Sequence, residues 1–140
     1  MATDTIDNGR RLALGIGVAY VLVGILGFFV TGFDNFAGQT GEKLLGIFEI
    51  NPLHNVVHLV IGFGGIALWK RRDTARAYGA ALVAGYGVTF LYGLFTAGKD
   101  TAANFLSLNA ADNGLHLVSA VAGVAILALL GRSVPTAART

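Results

Sequence analysis

Long apolar stretches alternate with short polar runs along this chain. Leu12 to Phe33, Leu53 to Trp69, Ala77 to Ala97 and Gly114 to Gly131 contain no Asp, Glu, Lys or Arg. A hydrocarbon core about 30 Å thick takes ~20 apolar residues in a helix that rises 1.5 Å per residue. The pattern therefore predicts an all-α, integral membrane four-helix bundle, one domain over residues 1–140, with spans at about 12–33, 53–69, 77–97 and 114–131. Arg10-Arg11 ahead of the first stretch resembles the start of a secretion signal, but the run outlasts such a signal and no small-x-small cleavage pattern appears before Asp34. It reads as a retained span. The connection at 34–50 carries an apolar cluster, Leu44, Leu45, Ile47, Phe48 and Ile50, which suits a short interfacial helix at about 40–50, or a loop with buried anchors.

The pattern also repeats. Shifted by 58, Asn51 falls on Asn109, Asn55 on Asn113, and His58-Leu59-Val60 on His116-Leu117-Val118; shifted by 66, Gly27-Phe28-Phe29 and Gly32 fall on Gly93-Leu94-Phe95 and Gly98. A duplicated two-helix hairpin follows. Two spans per copy give both copies one orientation, hence a pseudo-twofold axis along the membrane normal, with His58 and His116 at equal depth.

Composition agrees with a lipid solvent: 54% of residues are apolar, 13% are charged and the mean hydropathy is +0.66. The absence of cysteine removes thiolate metal sites, disulfides and cysteine nucleophiles. A net charge of +2 and a pI near 9.2 might point to nucleic acid, but the basic residues sit at the ends of apolar runs. Of the ten, all but Lys43 and Lys99 fall on one side of the predicted spans, namely Arg10, Arg11, Lys70, Arg71, Arg72, Arg76, Arg132 and Arg139. The positive-inside rule then puts both termini in the cytoplasm of a multi-pass protein of the bacterial cytoplasmic membrane. Trp69 belongs at the inner interface. The partners expected are the lipid bilayer and other membrane subunits or further copies of the chain, with no nucleic acid.

The candidate chemistry lies in "NPLHNVVH" at 51–58 and its counterpart at 109–116. Asn51 before Pro52 is a helix start, a side-chain acceptor followed by a residue with no N–H to satisfy, and Asn109 repeats the logic. His54 and Asp112 take the third helical position, where a carboxylate favours the helix dipole. Positions 51, 55 and 58 share one stripe, as do 109, 113 and 116, and polar groups at that depth should face inward. The two stripes are expected to face each other as a polar cluster of Asn51, Asn55, Asn109 and Asn113 with the histidines, each hydrogen bond worth about 0.6–2 kcal/mol. The same histidines suit a ligand set. His58 and His116 could hold a haem iron axially, or His54, His58 and His116 with Asp112 or Glu49 could hold a divalent zinc, copper or iron. Asn55 stands where a metallohydrolase would carry its glutamate between His54 and His58. A proton path through the histidines is a third possibility. No nucleophile with a base at workable spacing stands out, Ser107 and Ser119 reading as loop and packing residues. The chain's 20 glycines serve close helix packing in lipid.

At these residues the chain resembles a bacterial family of small membrane proteins known as domain of unknown function 4383. The likeness rests on Leu45-Gly46-Ile47-Phe48, Leu53 to Leu59, Ala103-Asn104-Phe105 and Ala111 to His116, with Gly114 standing where many members have tryptophan. The resemblance implies four spans, with Ala103 to Phe105 beside the histidine motifs in the external layer, and implies no activity. The function expected is that of a non-enzymatic accessory or scaffolding subunit. The alternatives are a haem- or metal-binding protein and a proton-coupled transporter.

Overall fold

A computed structural model describes residues 7–39 and 41–131. It contains α1 (Asn8–Thr31), β1 (Glu42–Leu44), β2 (Phe48–Ile50), α2 (Pro52–Leu68), α3 (Arg72–Thr96) and α4 (Ala110–Leu130). The protein is all-α apart from one small hairpin of strands. Each helix starts earlier than its charge-free stretch, because Arg72 to Arg76 and Ala110 to Asn113 are helical although polar. Three helices, α1, α3 and α4, are long and apolar enough to cross a membrane, while α2 is apolar but shorter. Its 17 residues rise about 26 Å.

α1 packs chiefly on α2 and α3 chiefly on α4. Glycine sets both distances. A Cβ on Gly65 would lie 2.7 Å from Gly17 Cα, and one on Gly123 would lie 2.7 Å from Gly79 O, so neither pair admits a side chain. The two helix pairs meet mainly through α1 and α4, over a core of Ala13, Ala75, Tyr78, Leu82, Tyr86, Ile126 and Leu130. The outer surface is apolar instead: Phe29, Val60, Val88 and Phe95 are between 66% and 84% exposed. Burying Asn, His and Asp while exposing Phe and Val inverts the soluble arrangement.

At one end the arginines close the helix C-termini. Arg10, itself buried, donates from Nε to Trp69 O at 3.3 Å and from Nη2 to Lys70 O. Arg76 Nη1 donates to Leu127 O at 3.2 Å, and Arg72 reaches both Leu130 O and, at 2.9 Å, the Asp7 carboxylate. Cations there meet carbonyls in or just past the last turn of a helix, at the negative end of its dipole. Arg132 and Arg139, which also enter the positive-inside argument, lie outside the described residues.

The segment at 40–50 corrects the interfacial helix. Residues 42–50 form an antiparallel hairpin, Lys43 opposite Glu49 and Leu44 opposite Phe48, with Lys43 Nζ 3.8 Å from Glu49 Oε1. Leu45 and Gly46 both take positive φ, 54° and 72°, which no right-handed helix accommodates. Leu44 and Ile50 turn inward while Leu45 and Ile47 are left exposed at the tip.

Candidate functional site

The site begins at two helix starts. Asn51 Oδ1 accepts from His54 N at 2.8 Å, with Pro52 as the first helical residue. Asn109 Oδ1 accepts from Asp112 N at 3.0 Å, and Asp112 Oδ2 returns a bond from Asn109 N at 2.9 Å, a complete capping box. The same Asp112 oxygen accepts from Glu49 N at 3.1 Å, which ties the strand hairpin to α4. Equivalent positions thus diverge: Asp112 is spent on backbone, whereas His54 sends an imidazole inward.

Beneath the caps, five aromatic rings form a closed circuit. His54 and His58 lie 4.4 Å apart between centroids, His58 and Tyr20 5.3 Å, Tyr20 and Tyr86 5.4 Å, Tyr86 and His116 5.5 Å, and His116 and His54 5.8 Å. The histidines are only 2%, 5% and 3% exposed at positions 54, 58 and 116. Tyr20 shares a 2.5 Å hydrogen bond with Ser119 Oγ, which donates in turn to Leu115 O at 2.8 Å. Among the described residues, the buried side-chain atoms without a hydrogen-bond partner include Nδ1 of all three histidines, the hydroxyls of Tyr78 and Tyr86, and Oδ1 of Asn55 and Asn113. Buried polar atoms left in this way cost about 1–3 kcal/mol each, so their concentration around one circuit needs a reason.

The asparagines do not do what the stripes predict. Asn55 turns to its own helix partner: Nδ2 donates to Thr31 Oγ1 at 2.9 Å, and the amide fills the space above Gly27. Asn113 fills the equivalent space above Gly93. Only the histidine ends of the stripes converge, so Asn55 and Asn113 are not partners of the facing imidazoles. Asn51 and Asn109 reach across the molecule instead. Asn51 Nδ2 donates to Phe105 O at 2.8 Å and Gly38 O at 2.9 Å, while Asn109 Nδ2 donates to Ile47 O at 2.7 Å. Asn104 braces the connection that presents Phe105, its Oδ1 accepting from Leu108 N at 2.9 Å and its Nδ2 donating to Leu108 O at 3.1 Å. As for a metal, among the described residues no three His, Asp or Glu side chains are grouped to hold one.

Two grooves open beside the circuit. One, between α1 and α4, encloses about 260 Å³ and is lined by Ala19, Tyr20, His58, Ser119 and Ala122 among others. The other, between α2 and α3, encloses about 360 Å³ and includes His54, His116, Tyr78, Tyr86, Gly64 and Gly85. Neither is lined by Lys, Arg, Asp or Glu. The tyrosines are the residues that sequence reasoning passes over. Tyr20 and Tyr86 stand 66 apart, the same shift that pairs Gly27 with Gly93, and that coincidence is the available signal.

Residues 10–129 match the family model described as a domain of unknown function (DUF4383), and the chain belongs to that family. No curated protein and no solved structure matches it.

Proposed function

We propose that this DUF4383 member is a small four-span protein of a bacterial cytoplasmic membrane, with both termini cytoplasmic, serving as a non-enzymatic accessory or scaffolding subunit. What supports this most is the use of the buried polar groups near the caps. Asn51, Asn109 and Asp112 are engaged with backbone from distant segments, which is the work of holding a scaffold together. In this reading α2 spans as well, its short helix extended by the Asn51 layer above and the Arg10 cap below. The two helix pairs are related by a pseudo-twofold axis along the membrane normal. The reciprocal bonds favour it, since Phe105 and Asn109 stand 58 beyond Ile47 and Asn51. So does the flanking of the Tyr20–Tyr86 stack by His58 and His116 at 5.3 and 5.5 Å.

Because the chain has no cysteine, single cysteines report its topology. Lys43→Cys and Lys99→Cys are expected to react with a membrane-impermeant maleimide on intact cells, and Arg71→Cys only after permeabilisation. The inverse pattern overturns the orientation, and uniform labelling overturns the spans. For the subunit role, cross-linking in native membranes is expected to shift the protein far above its 14.5 kDa mass. A monomer under every cross-linking condition ends that reading.

One observation favours a second reading, the clustering of three imidazoles whose Nδ1 atoms lack partners. In it, His58 and His116 bind haem, or His54, His58 and His116, which are not grouped for a metal as they stand, re-aim to bind a divalent one. Asp112, engaged by Asn109 N and Glu49 N, is a poor fourth ligand. A Soret band lost in His58→Ala and His116→Ala would establish the haem version. A colourless preparation, metal-free by elemental analysis, would end both.

A further inference from the structure

The two grooves beside the aromatic circuit, which share His58, are built from equivalent positions, yet only one gives its tyrosine a serine partner. Tyr20 and His58 in the α1/α4 groove correspond to Tyr86 and His116 in the α2/α3 groove, and Ala19 and Ala122 correspond to Gly85 and Gly64. In the first, Ser119 satisfies the Tyr20 hydroxyl. In the second, the position equivalent to Ser119 is Ile61, so the Tyr86 hydroxyl is left with only the neighbouring Tyr20 hydroxyl, and that of Tyr78 further along has no partner. Each of these two tyrosines is only 4% exposed.

The glycines that widen the second groove are not there for helix packing. A Cβ on Gly85 would meet nothing within 4 Å, and one on Gly64 only the Tyr78 ring at 3.8 Å. Both sites would accept alanine, the better helix former. Open glycines also occur at Gly15 and Gly87, so the argument rests on a conjunction: widened walls, unmet hydroxyls and unmet imidazoles around one cavity.

We propose that the α2/α3 groove binds a quinone-type lipid, its flat neutral head against the histidine and tyrosine floor and its chain along α2 toward Leu68. The absence of Lys and Arg from the lining disfavours a carboxylate or phosphate head. Tyrosine hydroxyls donate, which calls for carbonyl acceptors, and a floor of stacked rings suits a planar head. Both hydroxyls are buried, so seating the head requires the Tyr78 and Tyr86 rings to turn outward, into room that Gly64 and Gly85 leave. From His54 to Leu68 the groove follows α2 for about 21 Å, enough for a long hydrocarbon chain. Val60, 66% exposed on its rim, marks the side that opens to lipid. The proposal rests on the membrane-spanning reading, since only lipid delivers such a ligand.

The test uses the full chain in phosphatidylcholine nanodiscs with decylubiquinone as probe, binding being measured above its partition into empty discs. Saturable binding at one per chain is expected. Gly85→Leu fills the groove and is expected to weaken binding at least about tenfold, as overpacking does. Tyr86→Phe should weaken it about threefold to tenfold, the worth of one hydrogen bond. Ala19→Leu, the matching change in the other groove, should leave it within about twofold, the spread of a distant site. Gly85→Ala serves where Gly85→Leu loses helicity by circular dichroism. No saturable binding overturns the proposal, as does equal weakening by Gly85→Leu and Ala19→Leu. Saturable binding of dodecanoate in place of the quinone also overturns it. Failure of the cysteine topology test would instead remove the membrane premise, so the two failures are separable.

Discussion

The two helix pairs make an informative comparison because they share a plan and differ in how far each completes it. In the α1–α2 pair, Asn55 has a partner in Thr31; in the α3–α4 pair the position equivalent to Thr31 is Ala97, and Asn113 only fills the space above Gly93. At the third helical position the order reverses, since Asp112 completes a capping box where His54 does not. The first connection adds a strand hairpin, and the second is braced by Asn104. Matched positions in the two pairs thus differ in which polar groups find a partner. The positions where they differ, Tyr86 and Asn113, are the informative ones.

The sharpest way to break the comparison is at the helix contacts. Gly65→Leu and Gly123→Leu are each expected to cost about 3 kcal/mol or more by forcing the backbones apart, since an added Cβ there would meet neighbouring atoms at 2.7–2.9 Å. Comparable losses of melting temperature in detergent would show the two interfaces to be equivalent. Next come the caps. Asn51→Ala is expected to cost about 2 kcal/mol, a cap plus two bonds from the amide nitrogen, and Asn109→Ala somewhat less because its amide nitrogen makes one. A larger effect at Asn109 would reverse the assignment. Smaller still, Asp112→Asn should cost about 0.5–1 kcal/mol by weakening the capping box and the tie to Glu49 N. The smallest effect carries the opposite sign. Ala97→Thr should supply Asn113 with the hydroxyl that Thr31 gives Asn55 and stabilise by about 0.6 kcal/mol. Destabilisation there would mean that the two sites are not superimposable at the level of side chains.

The helices are legible in the sequence because charge-free windows mark where lipid would lie, and the caps are legible because Asn-Pro and Asn-x-x-Asp carry their geometry locally. Convergence of the histidines is legible in the matching spacing of 51, 55 and 58 with 109, 113 and 116. The asparagines mislead because a stripe at i, i+4 and i+7 is wide enough to touch two neighbours, and the glycine opposite decides which. Gly27 and Gly93, already visible at a shift of 66, are the clue that Asn55 and Asn113 dock within their own pairs. Strands of three residues have too few positions to show a period, and an apolar cluster near an interface suits a helix equally well. The tyrosines escape notice because an aromatic residue within an apolar run reads as lipid-facing until a repeat is traced through it.

The crossed bonds from Asn51 to Phe105 O and from Asn109 to Ile47 O have a consequence for how such a chain assembles. Each surface recognises the equivalent surface of the other half, the self-complementary form of an isologous dimer. Joined only by the short turn at 69–71, the halves are expected to reassociate when co-expressed as separate polypeptides severed there. Reassociation of the severed halves would show that the crossed bonds suffice to pair them without a covalent link.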